Sequence, residues 1–136
     1  MEKIKYIGCF YDQELILQKA KIHSNERLYR SIKHPHTTFF YRPETVPYDM
    51  FGSIVTVRVT GYARDEENEA FLVEFENLPQ ELEELASQIK TPHITISVSK
   101  TGEPVNSGNL KFTPIAPFLL SGIFGGMDEN GTVHIG

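Results

Sequence analysis

Apolar positions in this chain follow two periods, and the changes between them mark out the elements. Ile4-Lys5-Tyr6-Ile7-Gly8-Cys9-Phe10-Tyr11 reads as a first strand, with Asp12 placed to cap a helix behind it. From Gln13 to about Ile22, Leu15, Ile16, Ala20 and Ile22 make an imperfect helical stripe. Lys33-His34-Pro35 leads into His36-Thr37-Thr38-Phe39-Phe40-Tyr41-Arg42, a β-branched and aromatic strand stopped by Pro43. Residues 43–52, with Pro43, Pro47 and Gly52, form a loop. Strict alternation then sets Val55, Val57 and Val59 on one face of a strand from Ser53 to Tyr62. A second alternating run, Ala70 to Glu76, turns Phe71, Val73 and Phe75 inward, and the charged stretch Arg64 to Glu69 makes the wet tip of a hairpin.

Leu78, Leu82, Leu85 and Ile89 lie at helical spacing with Pro79 near the start, which predicts an amphipathic helix. His93-Ile94-Thr95-Ile96-Ser97-Val98-Ser99 then alternates polar with apolar, as a half-buried strand does. Ser99 to Pro117 is loop-rich, Phe118 to Phe124 reads as a strand, and Gly125-Gly126 to Gly131 reads as a turn before a short strand at Thr132 to Ile135. This order predicts an α+β domain, with helices covering one face of a largely antiparallel sheet.

The bulk properties narrow the function. A chain of 136 residues suits one domain over 1–136, and 40% hydrophobic with 23% charged residues is ordinary for a soluble protein. The amino end, Met1-Glu2-Lys3-Ile4-Lys5, alternates charge with apolar residues and leads to no long hydrophobic run, so neither a signal peptide nor a membrane span is expected. A lone cysteine, Cys9, fits a reducing cytoplasm. The net charge of −5 argues against a grip on long duplex nucleic acid and favours a small or terminal phosphate as ligand. No protein partner is implied.

The candidate chemistry lies in two matched segments. His36 with Thr38, and His93 with Thr95, stand two apart on strands, so each pair shares a face and offers an imidazole beside a hydroxyl. Both pairs follow a proline and a helix-like segment. Opening a phosphodiester without a metal needs a base for the attacking water, an acid for the leaving oxygen and donors for the phosphoryl oxygens. Two histidines with ordinary pKa values near ~6.5 can fill the first two roles, and threonine hydroxyls the third. Which histidine is base is left open.

Pro35-His36-Thr37-Thr38-Phe39-Phe40 and Pro92-His93-Ile94-Thr95-Ile96-Ser97 resemble the paired His-x-Thr signatures of the 2H phosphoesterase superfamily. Within it, the stretch from His36 to Leu110, including Gly52-Ser53-Ile54-Val55-Thr56-Val57 and Gly102 to Leu110, is similar to the cyclic phosphodiesterase domains of RNA-repair and tRNA-ligase-type proteins. The resemblance implies a bilobal, pseudo-symmetric α+β fold with antiparallel sheets lining a central groove. It implies metal-independent hydrolysis or transfer at 2′,3′-cyclic, 2′,5′ or cyclic-oligonucleotide phosphates, with no cofactor. Residue by residue it gives His36 and His93 as the acid/base pair and Thr38 and Thr95 as phosphate ligands. Thr37, at a middle position usually apolar in the family, is a departure, and no ligase or kinase module accompanies the motifs.

Each candidate has a plainer reading beside it. Tyr11 either stacks a base at the groove mouth or packs at the sheet edge. Ser97 either lines the groove or merely extends the polar face. Arg42 and Arg58 either meet phosphate or pair with carboxylates. His34 is a solvent-exposed neighbour, or with His36 half of a metal pair that lacks nearby carboxylates, and His23 and His134 read as surface residues. The expected activity is a metal-independent phosphodiesterase acting on a nucleotide or RNA 3′-end. The alternatives are a noncatalytic nucleotide or RNA-end binding module, and an enzyme degrading 2′,5′-linked or cyclic oligonucleotide signals.

Overall fold

The structure is a computed structural model that describes residues 3–136. Met1 and Glu2, where the charged amino-terminal alternation begins, lie outside the described residues. The strands are β1 (Ile4–Phe10), β2 (Arg30–Ser31), β3 (His36–Tyr41), β4 (Ile54–Arg64), β5 (Asn68–Asn77), β6 (His93–Val98), β7 (Thr113–Asp128) and β8 (Val133–His134). The helices are α1 (Gln13–Ala20) and α2 (Gln80–Ser87), with short 3-10 segments at Tyr48–Met50 and Pro104–Asn109. All strands join one antiparallel sheet in the order β2-β6-β5-β4-β7-β1-β3, with β8 added to β7, so the α+β class holds. Among the described residues no helix is long and apolar enough to cross a membrane.

A strand–helix–strand unit occurs twice. Two residues link β1 to α1 and two link β5 to α2; each helix has eight residues; β3 then pairs with β1, and β6 with β5. The sheet bends round until β3 lies against β6, with α1 packed on β6 and α2 on β3. Each unit's helix therefore covers the other unit's His-x-Thr strand.

The period-two pattern determines which face is inside. Val55, Val57 and Val59 are fully buried and cluster with Phe71, Val73, Ile94, Ile96 and Phe124, while Ile16 and Leu82 bring in the two helices. Each such side chain contributes about 1.5–3 kcal/mol by leaving water. Asp12 caps α1 as expected, accepting from the Glu14 amide at 3.2 Å. The helix stops at Ala20, before the expected Ile22, because the Ile22 side chain is exposed and reaches no core.

Three stretches depart from the sequence reading. Thr113 to Pro117, read as the end of a loop before a strand at Phe118–Phe124, already belongs to β7, held by pairing of Thr113 with Tyr62 and Pro114 with Gly61. Gly125-Gly126 is not a turn: β7 runs through it, pairing Gly125 with Gly8 and Gly126 with Ile7. A Cβ on Gly125 would fall within 3.0 Å of the His134 carbonyl oxygen, so the glycine admits the close approach of β8. The turn comes later, where Asp128 accepts the amides of Asn130 and Thr132 at 2.8 and 2.9 Å and Gly131 takes φ +84°. The unexpected strand β2 is only two residues long and owes its existence to pairing with β6.

Candidate active site

Backbone register brings the two histidines together. Arg30 pairs with Val98, Ser31 with Ser97, and the Ile32 amide donates to the Ile96 carbonyl. The chain thus descends antiparallel along β6 toward His93 and delivers Pro35-His36 where β3 packs on β6. His93 lies near enough there for charge on it to disfavour protonation of His36.

Both imidazoles are held in the same way. His36 Nδ1 donates to the His34 carbonyl and His93 Nδ1 to the Thr91 carbonyl, each at 2.8 Å. A carbonyl only accepts, so Nδ1 carries the proton and the neutral ring keeps its lone pair on Nε2. The intervening prolines are locked as well, Pro35 accepting from the Tyr11 amide at 2.9 Å and Pro92 from the Val73 amide at 3.0 Å. Residues 33–38 and 90–95 therefore form one repeated local structure.

The ring environments favour neutrality. Tyr6 stacks on His36 with centroids 4.6 Å apart and Phe10 leans on it at 5.6 Å. Burial lowers the His36 pKa to about 4; the His34 carbonyl opposes this in part, and charge on His93 or His34 adds to it. Burial also lowers His93, against the Thr91 bond. Both rings are neutral at pH ~7 in the free protein. Gly108, in the Pro104–Asn109 segment, lies beside His93, where an added Cβ would sit 3.4 Å from Cε1.

The two threonines differ. Thr38 is exposed on the His36 face, opposite Gly8. A Cβ on Gly8 would come within 3.0 Å of the Thr37 carbonyl oxygen, so the glycine lets β1 and β3 close up beside a bulge. Thr95 is buried, its hydroxyl 2.9 Å from Ser107 Oγ and 3.2 Å from the Pro104 carbonyl. Asn68 Nδ2 completes this cluster, donating to Ser107 Oγ at 3.0 Å and the Glu103 carbonyl at 2.8 Å.

The remaining candidates lie elsewhere. Tyr11 is buried, its hydroxyl bonded to Thr37 Oγ1 at 2.9 Å, so it packs instead of standing at a groove mouth. Ser97 is fully buried, donating to Glu69 Oε1 at 2.7 Å and accepting the Leu28 amide at 3.1 Å, and so does not line an open groove. Arg42 leaves the strand at φ 51° and pairs with Glu129 at 2.6 Å, and Arg58 pairs with Glu76 at 2.9 Å. Neither arginine is directed at the histidines by its partner.

His23 stacks on Tyr62 at 5.0 Å, and His134 bonds Asp128 at 2.7 Å, holding that carboxyl below its usual range. Cys9 is buried, which pushes its thiol up to about 12. Among the described residues no group of three His, Cys, Asp or Glu is arranged to hold a metal ion.

Tyr6, Phe10, Asn68, Ser107 and Gly108 are site residues that the sequence reading missed. Tyr6, Gly8 and Phe10 do alternate along β1, but only its long-range pairing with β3 turns them toward His36. A cavity of about 730 Å³ beside the hairpin tip, lined by Arg64, Asp65, Glu66, Asn68, Asn106 and Asn109, includes neither histidine. No protein-family model and no curated protein matches this sequence.

Proposed function

We propose that this protein is a 2H-type, metal-independent phosphodiesterase that opens a 2′,3′-cyclic phosphate, on an RNA end or in a cyclic nucleotide, with His36 and His93 as the acid/base pair. The observation that carries this reading is the matched Nδ1 lock, which leaves both Nε2 atoms without a hydrogen-bond partner among the described residues, near the contact of β3 and β6. The repeated strand–helix–strand units support the bilobal, pseudo-symmetric arrangement that goes with it.

In the reaction one Nε2 takes a proton as water attacks phosphorus. The other ring, protonated, passes its proton to the ribose oxygen as that P–O bond breaks. Both rings are neutral before substrate binds, so the acid's proton must be drawn in by the phosphate's negative charge, which raises the pKa of an adjacent imidazole. Thr38 donates to one non-bridging oxygen, and Thr95 donates to the other by turning its one hydroxyl hydrogen from Ser107 Oγ and the Pro104 carbonyl to the phosphate.

The second reading, a noncatalytic nucleotide or RNA-end binder, is favoured by the lowered pKa of both imidazoles and by the prior engagement of Thr95. The test incubates the protein with EDTA and 2′,3′-cyclic nucleotides, 2′,5′-oligoadenylate and cyclic dinucleotides, following products by chromatography. Turnover is expected to survive EDTA, and His36→Ala or His93→Ala each to lower it by about 10²–10⁴-fold. Binding without turnover supports the second reading, and near-normal rates in either variant remove that histidine from the mechanism.

A further inference from the structure

The acidic chain carries a basic stretch next to the site. Between residues 15 and 43 the only acid is Glu26, against Lys19, Lys21, Arg27, Arg30, Lys33 and Arg42. Arg27 and Arg42 are committed to ion pairs with Glu69 and Glu129. Arg30, Lys33 and Lys100 are exposed and in no ion pair among the described residues. Tyr29, next to Arg30, is 71% exposed, and Lys100 Nζ stands 5.2 Å from its ring centroid.

These groups follow the edge of the sheet. Arg30 belongs to β2, the terminal strand of the sheet path, and Lys100 lies just past the end of β6, the strand β2 pairs with. From Arg30 the chain runs six residues to His36, about 20 Å if extended. At the far end Ser99 bonds the Glu67 carbonyl, which places the acidic hairpin tip Asp65-Glu66-Glu67 beside the strip as an electrostatic boundary.

We propose that Tyr29, Arg30, Lys33 and Lys100 form a docking strip for single-stranded nucleic acid whose terminal phosphate lies between His36 and His93; the proposal rests on the phosphodiesterase reading above. Separated cations match the repeating phosphate of a strand. An exposed tyrosine with a cation at its face matches the flat surface of an unpaired base. A paired base offers no such face, and the strip is one strand edge wide, so the occupant is a single strand and not a duplex. The preferred substrate is accordingly a chain end several nucleotides long, with a free mononucleotide acting as a poor substitute.

The test compares a 2′,3′-cyclic mononucleotide with an RNA octamer ending in the same cyclic phosphate. The octamer is expected to show at least about tenfold higher kcat/KM, an advantage that shrinks as salt rises. Tyr29→Ala and the double variant Arg30→Glu/Lys100→Glu should each reduce octamer turnover toward the mononucleotide rate while leaving mononucleotide turnover unchanged. Equal rates on the two substrates, or equal losses on both in the variants, overturn the strip.

Fluorescence anisotropy with a labelled RNA octamer separates this from failure of the chemistry. Binding that the strip variants abolish, without turnover of any substrate, keeps the strip and removes the phosphodiesterase. Absence of RNA binding, or equal affinity for a duplex of the same length, overturns the strip itself.

Discussion

An imidazole packed against Tyr6 and Phe10 resists protonation, because the cation loses water that these rings do not replace. For His36 this has a thermodynamic consequence independent of catalysis. In the unfolded chain it takes a proton near its ordinary 6.5, in the folded protein only near 4. Between those values the unfolded state holds a proton that the native state lacks, so stability rises with pH across the window and is lost as pH falls through it. Over the whole window the contribution is about 3 kcal/mol. His36→Asn keeps a polar group near the His34 carbonyl but cannot titrate. In urea melts at about pH 7 and pH 5, wild-type protein should lose about 2 kcal/mol more stability between the two than the variant, since pH 5 lies part-way down the window. Parallel losses would show that the ring titrates normally and is not desolvated.

At the scale of elements, the Pro104–Asn109 segment is held by side chains and not by a ladder. Asn68 from β5, Thr95 from β6 and Ser107 from the segment itself form one buried hydrogen-bonded cluster, which keeps Gly108 against the His93 ring. Ser107→Ala removes the shared hydroxyl, leaving one buried Asn68 N–H without its acceptor and Thr95 with only the Pro104 carbonyl. It should cost about 1–3 kcal/mol by chemical denaturation; a loss under about 0.5 kcal/mol would mean that water or a new partner replaces the hydroxyl. This cluster could not be read from the sequence, since its members lie 12 and 39 positions from Ser107 and no periodicity links them. Elements built on local signals were legible: Val55, Val57 and Val59 gave β4 its inner face, and Asp12 marked the start of α1. Gly125-Gly126 misled because a glycine pair signals a turn locally, whereas its role here is set by β8, which approaches from later in the chain.

The whole molecule decides whether two short motifs become one site. Alternation placed His36 beside Thr38 and His93 beside Thr95, but their meeting depends on the sheet bending until β3 lies against β6, a property of the closed assembly. Thr37, polar where an apolar residue was expected, fits the buried interior only because the Tyr11 hydroxyl meets it. The same closure buries Glu69 completely. Its carboxylate takes Ser97 of β6 at 2.7 Å, Tyr62 of β4, and Arg27 at 2.9 Å from the loop before β2, with Arg64 at 3.7 Å. One side chain thereby ties β4, β5, β6 and that loop together, at the end of β6 away from His93. Glu69→Ala leaves two arginines and two hydroxyls around a vacancy, which should cost about 3–5 kcal/mol. Glu69→Gln retains an acceptor for Ser97 and should lose less. Denaturant midpoints would order the proteins wild type, Gln variant, Ala variant, with unchanged slopes. A loss under about 1 kcal/mol in the Ala variant would mean that the arginines find water and that the closure of the sheet rests on its apolar core alone.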